Sequence, residues 1–109
     1  MARDGLGHFE LQLLLAVMRL GDEAYGMTIR RELAGHTGRE IAVGAIYTAL
    51  ARLEARGFVQ SKLGEPTPER GGKAKRYYRV LAPGKRAVEK AQAILLGLAG
   101  DRERGSGRS

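Results

Sequence analysis

His8 and His36 are the side chains of this chain best suited to proton transfer near neutral pH, and neither stands in a catalytic pattern. The spacing puts both in connectors rather than on a helix face shared with a carboxylate. Glu10 is two residues from His8, which on a helix would point the pair apart. With no cysteine, disulfides, thiolate nucleophiles and cysteine-based zinc sites are all excluded. The stretch "ERGGKA" has two adjacent glycines but no helix behind it, so it is not a phosphate-cradling loop. These residues predict a protein that is not an enzyme and holds no metal or cofactor.

The chemistry that is present is cationic. The 109 residues carry a net charge of +7. Residues 1–51 hold five basic and six acidic side chains (net −1), and residues 91–109 hold three and two (net +1). Residues 52–90 hold eleven and four, so this segment alone carries +7. Solvated surfaces usually intersperse both signs, so such segregation favours a polyanionic partner, with nucleic acid the leading candidate. Arg70, Lys73, Lys75 and Arg76 cluster around Gly71-Gly72, as suits contact with phosphates or a minor groove. Just ahead of them lies "VGAIYTALARLEARGFV", whose apolar positions Val43, Ile46, Leu50 and Leu53 fall at helical spacing. Opposite that stripe stand Gly44, Thr48, Ala51 and Ala55, where exposed helices normally carry Glu and Lys. Gly44 and Ala45 would let the helix backbone approach a groove wall, with Tyr47, Thr48 and Arg52 as the handles. Arg39, in the connector before this helix, would meet a phosphate. Tyr47 could instead be a packing ring, and Arg52 a surface partner of Glu54.

The elements that must position these residues follow from periodicity. "FELQLLLAVMRLG" (9–21) reads as a mostly buried helix. "YGMTIRRELAG" (25–35) reads as a second, with Tyr25, Ile29 and Leu33 inward and Gly35 as its stop; residues 43–57 form the third. "FVQSKLG" (58–64) and "KRYYRVL" (75–81) read as strands, the second alternating Arg76, Tyr78, Val80 against Tyr77, Arg79, Leu81. "EPTPERGGKA" between them is too polar to pack and makes the tip of a hairpin. "PGKRAVEKAQAILLGLAG" (83–100) opens with a proline suited to a first helical turn. Its seam of Val88, Ala91, Leu95 and Leu98 has the 3-4-3 spacing by which helices pair. Three helices, a two-stranded wing and a terminal helix make a winged helix-turn-helix, an α+β fold that is mainly α. The expected divisions are a flexible start (1–8), a DNA-binding domain (9–81), a dimerisation helix (82–100) and a disordered tail (101–109). The expected dimer contact joins Leu13, Leu14 and Val17 of the first helix to Val88, Ala91, Leu95 and Leu98 of the last. No apolar run reaches membrane-spanning length, and a cytoplasmic location is expected.

"GAIYTALARLEARGFV" followed by "GGKAKRYYRVLAPGKRAVE" resembles the PadR family of bacterial transcription regulators. Its most specific marks are Gly44, Ile46-Tyr47, Leu50, Arg52-Leu53-Glu54 and Gly57, then Tyr77, Tyr78 and Gly84; "AYGMTI" at 24–29 also fits. The resemblance runs from about Leu13 to Leu98. It implies a homodimeric repressor on a pseudo-palindromic operator, of the short subgroup whose terminal helix packs on the partner's first helix. It also implies that Tyr47 lies near the DNA backbone. Family members often carry a Ser or Asn cap, then Pro, Gly and Thr, where this chain has Ala42, Val43, Gly44 and Ala45. Leu95 stands where some short members place a drug-stacking aromatic residue. Two further readings stay open: a switch with a small hydrophobic effector at the dimer interface, and a winged helix that binds RNA or protein.

Overall fold

The computed structural model describes residues 5–65 and 74–108, the last eight by backbone alone. Four helices and one antiparallel hairpin follow in the expected order: α1 (His8–Leu20), α2 (Gly26–Thr37), α3 (Val43–Ala55), β1 (Val59–Leu63), β2 (Arg76–Val80) and α4 (Ala82–Arg108). A 3-10 turn (Gly21–Glu23) links α1 to α2. This is a winged helix with a long terminal helix.

The core forms where the apolar faces converge. α1 contributes Leu11, Leu13, Leu14, Ala16 and Val17, α2 contributes Ile29 and Leu33, and α3 contributes Ile46, Ala49, Leu50 and Leu53. Val59, Tyr78 and Val80 close it from the hairpin, and Val88 from α4. The register pairs Val59 with Val80 and Ser61 with Tyr78. Directly opposed residues share a sheet face, so the alternation of β2 turns Tyr78 and Val80 inward.

Element ends depend on local chemistry. At the start of α1 the Glu10 carboxylate accepts the Gly7 N–H at 2.8 Å, satisfying a donor that the helix leaves open. α3 ends in a Schellman motif: the Phe58 N–H donates to the Leu53 carbonyl at 2.9 Å and the Gly57 N–H to that of Glu54 at 3.0 Å. Gly57 has φ 79°, a conformation glycine adopts without penalty. At the base of the wing, a Cβ at Gly84 would stand 2.8 Å from Val80 Cγ1 and 3.2 Å from the Phe58 carbonyl carbon. Absence of a side chain there lets α4 start hard against Phe58 and the end of β2.

Several expectations are corrected. Gly35 does not stop α2, which runs to Thr37; the left-handed residue is Gly38, φ 71°, whose N–H donates to the Ala34 carbonyl. Tyr25 precedes α2 in extended conformation, forms a β-bridge with Tyr77 and is only half-buried. Val43 is exposed, and Ala49 takes its place in the buried stripe. α1 begins at His8, inside the segment expected to be flexible. α4 continues to Arg108, past the expected end at residue 100. Leu13, Leu14, Val17 and Val88 are fully buried in the chain's own core, which leaves them no surface for a partner. The inner half of the 3-4-3 seam closes the fold, and only its outer half remains free.

Candidate nucleic-acid interface

α3 presents Val43, Gly44, Ala45, Tyr47, Thr48, Ala51, Arg52, Glu54 and Ala55 to solvent. Its buried stripe fixes this orientation, because Ile46, Ala49, Leu50 and Leu53 must all face the core. The helix has no side-chain cap; Ala42 is its N-cap residue. The entry is held from α2 instead. Arg30 Nε donates to the Ile41 carbonyl at 3.1 Å, and its guanidinium lies 3.6 Å from the Glu40 carboxylate. Arg39 is exposed in the same connector, its backbone N–H donating to Thr37 Oγ1 at 3.2 Å.

The wing meets α3 through a polar chain. Ser61 Oγ donates to the Glu54 carboxylate at 2.9 Å and accepts from the Arg76 guanidinium at 3.1 Å. Lys75 Nζ sits 4.4 Å above the Tyr25 ring, which meets Tyr77 edge-on with centroids 5.4 Å apart. Between α2, α3 and the wing opens a cleft of about 420 Å³, lined by Tyr25, Gly26, Tyr47, Lys75, Arg76 and Tyr78 among others. Burial pushes the Tyr78 phenol above its ordinary pKa; nearby Tyr47 and Glu54 add to the rise, and Arg76 opposes it.

Tyr47, Lys75 and Arg76 thus line one cleft. Gly44, Ala45, Thr48 and Arg52 are exposed on α3, and Arg39 in the connector before it. Arg70 and Lys73 lie outside the described residues. The Arg52 side chain has no hydrogen-bond or ion-pair partner among the described residues, and Glu54 accepts from Ser61 instead. Tyr47 is 42% exposed, yet its ring also packs against Gly26. Sequence reasoning missed the contribution of Tyr25, Gly26 and Ser61. Only "AYGMTI" signalled the first two, and the strand register was needed for the third. It also placed His36 in a connector without a carboxylate. Because α2 runs on to Thr37, His36 Nε2 meets Glu32 at 2.9 Å, and the same carboxylate binds Arg19 at 2.8 Å. Among the described residues no group of three possible ligands could hold a metal ion.

The model of the transcriptional regulator PadR-like family matches residues 14–90. The chain belongs to the PadR-like family. It is a DNA-binding transcriptional regulator with a winged helix-turn-helix fold. A PadR family transcriptional regulator from Eggerthella lenta is 28% identical, with a TM-score of 0.65 over 88% of this chain and 85% of that one. A transcriptional regulator from Clostridium thermocellum is 26% identical, with a TM-score of 0.69 and 89% of each chain covered. A PadR family transcription regulator from Clostridium difficile has a TM-score of 0.71 over 90% of this chain and 97% of that one. At 18% identity that last likeness shows the fold alone. No relative was found among curated proteins. For this PadR-like chain, the matched span takes in α2, α3 and both strands, the elements that build the cleft.

Proposed function

We propose that the chain is a homodimeric repressor that binds a pseudo-palindromic operator. The observation that carries this reading is the outer half of α4. Ile94, Leu95 and Leu98 are each more than half exposed, on the face whose inner half, at Val88, is buried in the core. A continuous apolar seam that runs off its own domain calls for a second copy to cover it. Ala91, partly buried at the edge of the core, marks where the intramolecular cover ends and the partner's begins. Two-fold pairing there repeats the α3 face, as recognition of two half-sites requires.

On each half-site α3 enters the major groove, where Thr48 and Arg52 reach base edges past Gly44 and Ala45. Arg39, Tyr47, Lys75 and Arg76 hold phosphates, and Arg70 and Lys73, outside the described residues, add to them. If each subunit neutralises about four phosphates, the log–log dependence of affinity on salt has a slope of about −7. Selection from random duplex DNA is the test. We expect a two-fold-symmetric site with half-sites about one helical turn apart and that steep salt slope. Failure to enrich any site, a flat salt response or a preference for structured RNA would overturn the reading. A cytoplasmic location accords with this role; no described helix is long and apolar enough to cross a membrane.

A second reading has its own support. A groove of about 290 Å³, lined by Leu6, Leu11, Ala87, Ala91, Ile94 and Leu95 among others, opens beside the same seam. A small hydrophobic effector seated there at the dimer contact would couple its binding to DNA release. A hydrophobic compound that shifts both melting temperature and operator affinity would establish it; a panel shifting neither would remove it.

A further inference from the structure

Gly26 stands where a side chain would ordinarily be welcome. It is the first residue of α2, and its φ is not among the positive values of the chain's glycines. The backbone there asks for nothing alanine cannot supply, and alanine is the better helix former. What excludes a methyl group is Tyr47. An ideal Cβ at position 26 would stand 2.7 Å from Tyr47 Cζ and 3.3 Å from Cε1, with the hydroxyl nearer still. The ring of Tyr47 therefore crosses from α3 to the start of α2 and occupies the space that glycine leaves. By contrast, a Cβ at Gly44 would meet nothing within 4 Å.

We propose that Gly26 is a positioning residue for DNA binding: it seats the Tyr47 ring on α2, at the wall of the cleft that Lys75 and Arg76 also line. This rests on the reading of the α3–wing face as the DNA interface. A half-exposed tyrosine on an open helix face samples several rotamers, and fixing one on binding costs affinity. Seated over Gly26, the ring is ordered before DNA arrives. A methyl at position 26 would displace the far end of an exposed side chain, so the collision is relieved by swinging Tyr47 outward. At Gly84 the atoms that crowd a Cβ include the backbone of Phe58, which cannot swing. Gly26→Ala should therefore unseat Tyr47 and leave the fold intact.

A double-mutant cycle decides it. Wild type, Gly26→Ala, Tyr47→Ala and the double variant are titrated onto a fluorescein-labelled mixed-sequence duplex, three helical turns long, at low ionic strength. Thermal unfolding is followed alongside, and the Tyr47 ring resonance of the free proteins is read by NMR with labelled tyrosine. We expect Gly26→Ala to lose affinity roughly tenfold, as befits residues in contact. Its melting temperature should not fall, and its Tyr47 resonance should move. In the Tyr47→Ala background the Gly26→Ala change should cost no further affinity. An equal loss in both backgrounds, wild-type affinity in Gly26→Ala or an unmoved resonance overturns the proposal. A wild-type chain that binds no duplex instead overturns the DNA reading of the face, and the positioning role falls with it.

Discussion

Arg52 and Glu54 stand two residues apart on α3 and take opposite roles. Residues at that spacing point to different sides of a helix. Glu54 turns to the hairpin and accepts from Ser61, while the Arg52 side chain is exposed with no partner among the described residues. An exposed arginine whose side chain has no partner contributes little to the free protein, so Arg52→Ala should leave the unfolding midpoint unchanged. On operator DNA it should cost about 1–3 kcal/mol if the guanidinium reads a base, and relax specificity at that position. If it meets a phosphate, the loss should be uniform across sequences and the salt slope should fall by about 1. Tyr78 shows the complementary case of a buried polar group. Burial raises its pKa above the unfolded value of 10.0, so the folded state holds the proton more tightly. Its contribution is complete below pH 10 and is lost as pH rises from there through the folded pKa. Tyr78→Phe should therefore flatten part of the alkaline loss of stability in urea titrations at rising pH. An equally steep loss in the variant would contradict this origin.

α3 is the element with the most asymmetric support. Its C-terminus has a full Schellman motif, whereas its N-terminus has Ala42 and a carbonyl at Ile41 held by Arg30. Ala42 already has the extended conformation of a capping residue, φ −62° and ψ 136°. Ala42→Ser should therefore raise stability by about 0.5–1 kcal/mol, measured by urea unfolding. A lowered midpoint would mean that the hydroxyl disturbs the Arg30 contact. The same helix shows what could be read in advance. Ile46, Leu50 and Leu53 gave its orientation, and with it the exposure of Thr48 and Arg52. The alternation of β2 likewise gave Tyr78 and Val80. Helix ends were harder, because Gly35 and Gly38 look alike in sequence and differ only in φ. Tyr25 was harder still. Its spacing matches a helical stripe, but a bridge to Tyr77, distant in sequence, holds it in extended backbone. Local periodicity carries no signal of such a long-range pairing.

At the scale of the whole molecule, α4 divides the chain into a closed body and a projecting arm. Its 27 residues span about 40 Å. The chain accordingly extends 64 Å along its long axis, with a radius of gyration of 16.6 Å against about 13 Å expected for a compact chain of this length. The inner and outer halves of the seam therefore answer substitution differently. Val88 is 1% exposed, and Val88→Ala should cost roughly 2 kcal/mol in stability as a core cavity, without changing the intrinsic pairing of α4. Leu98 is 62% exposed, so the paired change Leu95→Glu and Leu98→Glu should leave the monomer folded and place charge on the seam. Sedimentation should then show single chains for the variant and, if two copies pair through the outer seam as proposed, a dimer for the wild type. On the two-fold operator proposed above, affinity should fall by orders of magnitude, because two half-sites would no longer bind as one unit. The discriminating measurement is the affinity for an isolated half-site, which under the proposed reading rests on α3 and the wing and should survive the change. A double variant that still sediments as a dimer would show that the outer seam is not where two copies meet.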